Sequence, residues 1–258
     1  MSEDRPVVLA PARLSALTSA RVGLGRTGAS LPTRELLRFG LAHAQARDAV
    51  HEPFRPDQVV AELAAIGLDS VCVDSAAPTR EIYLRRPDLG RRLSPDGRAA
   101  LAALQVPCDL AIVVADGLSA TAVHRHATGL IAALLPLLRG LSHGTVVIAS
   151  QGRVALGDEI GALMPARLVL VLIGERPGLS SPDSLGAYLT FAPRPGLTDE
   201  ARNCVSNIRP EGLSPALAAA RLGWLIAEAL RRGLSGVALK DDSGPAQLAG
   251  QNAPPGIG

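Results

Sequence analysis

Leu168-Val169-Leu170-Val171-Leu172-Ile173 runs directly into Gly174-Glu175-Arg176-Pro177-Gly178. Six branched apolar residues in a row read as a strand covered on both faces, the pattern of a parallel sheet. The segment that follows sets a carboxylate, a guanidinium and two glycines around a proline. In open α/β sheets, ligands bind outside the carboxyl ends of the strands. A charged, glycine-flanked turn at such an end is therefore the first candidate binding loop.

The same rhythm extends to either side. A strand over 109–115 ends in Asp116-Gly117-Leu118-Ser119, and a helix over 119–139 follows, weakened by Gly129 and Pro136. A strand over 145–149 ends in Ser150-Gln151-Gly152-Arg153, and a short helix over 157–164 leads into the opening stretch. A further strand over 186–191 and a strong helix over 215–232 complete the pattern. Strand–helix alternation of this kind predicts an α/β fold, a doubly wound, mostly parallel, Rossmann-like sheet over residues 96–240. Residues 1–95 read as a helical N-terminal region and connector. A helix is predicted over 33–47, with Leu36, Leu37, Phe39, Leu41 and Ala44 favouring one side and Thr33 placed as N-cap. A second helix over 56–66, a short strand over 70–73 and a basic connector over 81–93 follow, with Pro87 and Gly90 as turn residues. Residues 241–258, rich in Gly, Pro, Ala and Gln, are predicted to form a disordered tail.

Composition narrows the function classes. The 258 residues are 47% hydrophobic, yet only Phe39, Phe54, Phe191, Tyr83, Tyr188 and Trp224 are aromatic, so the core must be Ala, Leu, Val and Ile. Few aromatics disfavour base-stacking recognition of single strands. A net charge of +2 with no basic block disfavours a phosphate-backbone footprint. Three cysteines without CxxC spacing disfavour a disulfide framework or a structural zinc. The start Met1-Ser-Glu-Asp-Arg-Pro lacks the order of a secretory signal, and no apolar stretch reaches bilayer-spanning length. Together these predict a soluble intracellular protein.

Gly23, Gly25 and Gly28 match G-x-G-x-x-G, but Pro32 falls where a nucleotide-binding helix should open and the preceding stretch is a poor strand. A flexible or anion-contacting loop is the better reading, with a nucleotide-binding α/β enzyme as the alternative. Asp116-Gly117, Gln151-Gly152-Arg153-Val154 and the 174–178 turn would share one sheet edge. Ordinary turn chemistry explains any one of them; three in succession favour a common ligand crevice. Residues 202–212 read as a polar loop in which Cys204 contacts a ligand or packs as a small hydrophobe, since no histidine follows His143 to activate it. The five histidines show no metal spacing, and solvated or locally bonded side chains are expected. No complete catalytic constellation is visible, so the chain presents a cofactor or completes another subunit's site.

Several segments, taken in order, resemble the small (light) subunit of ethanolamine ammonia-lyase, an adenosylcobalamin-dependent enzyme. They are Ala20–Gly28, Leu36-Leu-Arg-Phe39, Tyr83–Leu93, Asp116-Gly-Leu-Ser119, Gly152-Arg-Val154, Gly174-Glu-Arg-Pro-Gly178 and Cys204-Val-Ser-Asn-Ile208. The resemblance implies a hetero-oligomer with a large, barrel-bearing subunit that binds ethanolamine, and a corrin held between the subunits. It places cofactor contacts on Val154, Glu175 and Cys204, with no catalytic residue and no metal ligand in this chain. Ethanolamine would be converted to acetaldehyde and ammonia by radical chemistry. The alternative within this frame is a non-catalytic assembly subunit. Proteins that replace the cobalamin base by histidine carry Asp-x-His-x-x-Gly, whereas His126-Ala-Thr-Gly129 is preceded by His124. Base-on binding, without a protein ligand to cobalt, is the expectation. Some relatives carry a longer segment ahead of the part matching Leu14, linked to bacterial microcompartments. Its shortness here sets plain cytoplasm beside microcompartment residence as the expected location.

Overall fold

The computed structural model describes residues 21–104 and 107–244. At its centre lie six strands: β1 (Ser70–Asp74), β2 (Cys108–Ala115), β3 (Val146–Ser150), β4 (Ala166–Gly174), β5 (Leu185–Phe191) and β6 (Arg202–Ile208). Their order in the sheet is β1-β3-β2-β4-β5-β6. The first four in that order run parallel, and β5 and β6 add an antiparallel edge. The expected mostly parallel α/β sheet is the one observed, with β1 joining it from the N-terminal region.

The opening stretch forms the centre of β4, and its alternation explains the layering. Leu168, Leu170 and Leu172 point to one face with Leu110, Ile112 and Val114 of β2. Val169, Val171 and Ile173 point to the other with Ala111, Val113 and Ala115. Successive strand residues face opposite sides, and both sides are covered. Each fully buried leucine contributes about 1.5–3 kcal/mol. The leucine face carries α2 (Pro56–Ala65), α5 (Ala120–Leu134) and α7 (Pro215–Arg232), while the valine and alanine face carries α4 (Pro95–Ala102) and α6 (Leu156–Leu163). Small side chains on the second face let α6 approach closely. A Cβ on Gly157 would lie 2.2 Å from Val171 Cγ2. Helix α7 matches its predicted bounds because its ends are marked: Ser214 Oγ accepts from Leu217 N, Pro215 opens the first turn, and Gly233 leaves at φ 69°.

Three expectations are corrected. The 202–212 stretch is not a polar loop, because residues Arg202–Ile208 form edge strand β6. Val205 and Ile208 face the core, Arg202 is buried by pairing, Asn203 is half-buried with its side chain bonded to Gly236 and Leu239 O, and Ser206 and Asn207 are exposed. Thr33 is not an N-cap; α1 (Thr33–His51) begins on it, with Pro32 ahead and no capping side chain. Nor do the apolar residues of α1 keep to one side. Leu36, Leu37, Phe39 and Leu41 are exposed, and only Glu35 and Ala49 of this helix are buried. At about 100° per residue these side chains spread over more than half the helix circumference, too wide an arc for one face of this fold to cover. Of the predicted tail, Asp241 pairs with Arg221 at 3.0 Å and Ser243 is buried, while residues 245–258 lie outside the described residues. No helix among the described residues is long and apolar enough to cross a membrane.

Candidate cofactor-binding site

The chain leaves β2 toward β3 and leaves β4 toward β5, so the two connections diverge at the carboxyl edge. Such a divergence opens a crevice in α/β sheets. Here it is a pocket of about 410 Å³ lined by Tyr83, Gly117, Leu118, Arg153, Val154, Ile173, Gly174, Glu175, Arg176 and Tyr188.

Two glycines bring its floor together. Gly117 takes φ +56°, and a Cβ there would lie 2.2 Å from Gly174 O; a Cβ on Gly174 would lie 2.1 Å from Ser119 O. With both side chains absent, Leu118 N donates to Gly174 O at 2.9 Å. Asp116 is buried beneath this contact. It accepts from Arg80 Nη1 and from Gly152 N, each at 3.2 Å. Burial pushes its pKa up to about 6, against the opposing pull of Arg80. Arg80, at the start of α3 (Arg80–Arg85), also donates to Gly117 O and to Val50 O at the end of α1. One guanidinium thus ties α1, α3 and the pocket floor together.

Glu175 is half-buried and fixed. Its Oε2 accepts from the Ser184 hydroxyl and, at 3.2 Å, from Asn207 N of β6. Gly186 makes this possible, since a Cβ there would stand 3.0 Å from Glu175 Oε1. Oε1 itself has no hydrogen-bond partner among the described residues. Val154 lies opposite, just ahead of α6. Cys204 does not line the pocket but neighbours it: β5 and β6 pair Tyr188 with Cys204 directly, on the face of Val171. Packing against β5 pushes the Cys204 thiol pKa up, although Tyr188 opposes this. A thiol with a raised pKa is a poor nucleophile, consistent with a contact role.

The histidines are locally engaged. His124 stacks on Phe54 with ring centroids 5.5 Å apart and accepts from Arg55 N. His126 is buried, with Nε2 3.5 Å from Asp183 Oδ2. No cluster of metal-ligating side chains occurs among the described residues. The Gly23–Gly28 loop makes a tight turn, with Thr27 and Ser30 exchanging backbone hydrogen bonds, and it does not adjoin the carboxyl edge pocket.

Residues 10–240 match the family model described as Ethanolamine ammonia-lyase light chain (EutC). The chain is 58% identical over 246 residues to the ethanolamine ammonia-lyase small subunit of Rhodopseudomonas palustris, covering 94% of each protein. It is 56% identical over 263 residues to that of Azotobacter vinelandii, covering 99% of this chain and 97% of the relative. For the small subunit of Xanthomonas campestris the identity is 59% over 238 residues, with 90% and 88% covered. The chain belongs to this family. Membership makes it a subunit of a cobalamin-dependent lyase of ethanolamine degradation, acting in complex with a large subunit. The sequence segments that suggested ethanolamine ammonia-lyase now have a spatial meaning. Four of them, around Tyr83, Asp116, Gly152 and Gly174, meet at one sheet edge although they are far apart in the chain. Sequence reading missed Tyr188 and Arg80 as parts of this edge. A usable signal existed for the first: the chain has two tyrosines, and both line the pocket.

Proposed function

We propose that this small subunit supplies one wall of the adenosylcobalamin site of ethanolamine ammonia-lyase, facing the large subunit, with Val154, Glu175 and Cys204 as its contacts. The observation that carries the reading is the meeting of Val154 and Glu175 across a pocket at the divergent carboxyl edge of β2 and β4. The side chains fit the cofactor. The immobilised Glu175 offers a free acceptor to corrin amides, Val154 offers an apolar surface, and Arg153 Nε is buried without a partner. At about 410 Å³ the pocket sits at the low end of the roughly 300–1,000 Å³ typical for drug-sized ligands. A corrin with its nucleotide tail is far larger, so this wall holds an edge and a partner must enclose the rest.

When bound, adenosylcobalamin supplies the radical chemistry that turns ethanolamine into acetaldehyde and ammonia. The residues of this chain orient the corrin and exclude water from it; none takes a proton or a hydrogen atom. Base-on binding belongs to the same reading, since His126 is turned into the protein against Asp183. So does residence in the cytoplasm, free or within a microcompartment.

In the co-expressed complex, Glu175→Gln is expected to weaken adenosylcobalamin binding about tenfold, the scale of one charge-assisted hydrogen bond. The check is spectrophotometric titration of the complex and of each chain alone. Equal affinity of the large subunit alone and of the complex would reduce this chain to an assembly subunit. The exposed apolar side chains of α1 support the partner reading. Leu37→Asp, at a position 68% exposed in this chain, is expected to leave its fold intact and to weaken association with the large subunit at least tenfold. Co-purification followed by sedimentation measures this.

A further inference from the structure

The arginine of the Gly152-Arg-Val154 motif is held more firmly than a surface cation needs to be. Its guanidinium lies 4.2 Å from the centroid of the Tyr83 ring, and Nη2 donates to Tyr83 O at 3.3 Å. Tyr83 is fully buried and anchored in turn, its hydroxyl donating to Gly152 O at 3.1 Å. On the other side of the arginine stem, Arg153 N donates to Gly90 O at 2.8 Å. A Cβ on Gly90 would stand 2.9 Å from Arg153 Cγ, so glycine is what makes room for the stem. The conspicuous Tyr83–Gly90 segment is therefore the cradle of Arg153.

This anchored cation has no carboxylate partner among the described ion pairs, and its Nε is buried without any hydrogen-bond partner. The nearest carboxylate of the floor, Asp116, is taken by Arg80. Arg153 forms the wall between the pocket of Val154 and Glu175 and a second cavity of about 360 Å³ that also carries Arg91. Arg176 adds a further positive charge to the first pocket, against the single carboxylate of Glu175. A pre-oriented planar guanidinium with unsatisfied donors, in a net positive recess, is built for an oxyanion.

Resting on the reading that the pocket receives an edge of cobalamin, we propose that Arg153 clasps the phosphodiester of the cofactor's nucleotide loop. That phosphodiester is the anionic group the cofactor carries on its tail. The clasp would select the complete cofactor over corrinoids lacking the loop.

The test compares adenosylcobalamin with adenosylcobinamide, which keeps the corrin and the adenosyl group but has no nucleotide loop. Dissociation constants for the co-expressed complex come from corrin absorbance titrations. Arg153→Gln is expected to weaken adenosylcobalamin binding roughly 10- to 100-fold and to leave adenosylcobinamide within about twofold. Unchanged cobinamide affinity also reports that the corrin part of the site is intact. Arg153→Lys keeps the charge without the planar stack and should fall between, and it carries the same comparison if the Gln variant does not assemble. Wild-type affinity for adenosylcobalamin, but not for adenosylcobinamide, should fall with ionic strength. Equal weakening for both corrinoids overturns the clasp, as does no weakening of either, the outcome if Arg153 serves a free phosphate or a carboxylate of the partner. Binding by the large subunit alone as tight as by the complex overturns the cofactor reading itself.

Discussion

Asp158→Ala is expected to cost about 3–5 kcal/mol of stability, the scale of a buried charge deprived of its partner. Asp158 lies in the first turn of α6 and Arg202 opens β6; each side chain is only 2% exposed. They meet in a two-pronged pair at 2.6 and 2.8 Å, while Arg202 also donates to Thr190 Oγ1 and Leu197 O. Removing Asp158 leaves the guanidinium inside with Asp199 as its remaining carboxylate, at 3.3 Å and fully exposed. At roughly 2–4 °C per kcal/mol for chains near this size, the melting temperature should fall by roughly 6–20 °C. Thermal unfolding of the assembled enzyme checks this. The double variant Asp158→Leu with Arg202→Met should lose less than either single change, because an apolar pair need not be desolvated as charges. If the double change loses as much as the sum of the two, packing volume rather than charge pairing holds α6 to β6. The pair matters beyond stability. Val154 lies two residues ahead of α6, and Cys204 and Asn207 lie on β6, so this contact sets the spacing of the proposed cofactor wall.

What could be read from the sequence follows a physical divide. The central strands were legible because burial on both faces leaves continuous apolar runs, as in 168–173, and because their ends carry Gly, Asp and Arg. Helix α7 was legible because Ser214, Pro215 and Gly233 mark both ends. Strand β6 was not, since an edge strand presents half its residues to solvent, and here Arg202 is buried only through a partner 44 residues away. The fate of α1 was also hidden. Its apolar pattern correctly marks a helix, but not whether this chain or another covers it. Site residues divide in the same way. Glu175 and Val154 were found from strand ends and from family resemblance. Arg80 was not, because its role depends on three acceptors brought together only by folding, Val50 O, Asp116 and Gly117 O. The purpose of the Tyr83–Gly90 segment was equally invisible until Arg153 was seen lying on it.

Asp116→Asn should abolish a pH dependence built into the pocket floor. Burial raises the Asp116 pKa from an ordinary value of 3.8 to about 6, so the folded state holds its proton more tightly than the unfolded chain. Between those values the native protein binds more protons, and stability must fall as pH rises. Below the lower value both states are protonated and the group is neutral to folding; above the upper value the full cost is present. A gap of roughly two units corresponds to about 3 kcal/mol. An asparagine cannot ionise, so the variant should gain about 2–3 kcal/mol relative to wild type between pH 4 and pH 7.5, measured by urea unfolding at each pH. A relative gain by wild type instead would mean that Arg80 holds the carboxylate charged and outweighs its burial. The carboxylate is explained by its position. It accepts Gly152 N and Arg80 Nη1 under the Gly117–Gly174 contact, joining the ends of β2 and β3 to α3. The asparagine should keep the Gly152 contact through its carbonyl but lose the charge that holds Arg80. The stabilised variant should therefore bind cofactor less well, since Arg80 and Arg153 share the Tyr83 ring, at 4.9 and 4.2 Å from its centroid. A floor that is costly to ionise yet fixes two guanidiniums on one tyrosine is what the proposed clasp on a phosphodiester requires.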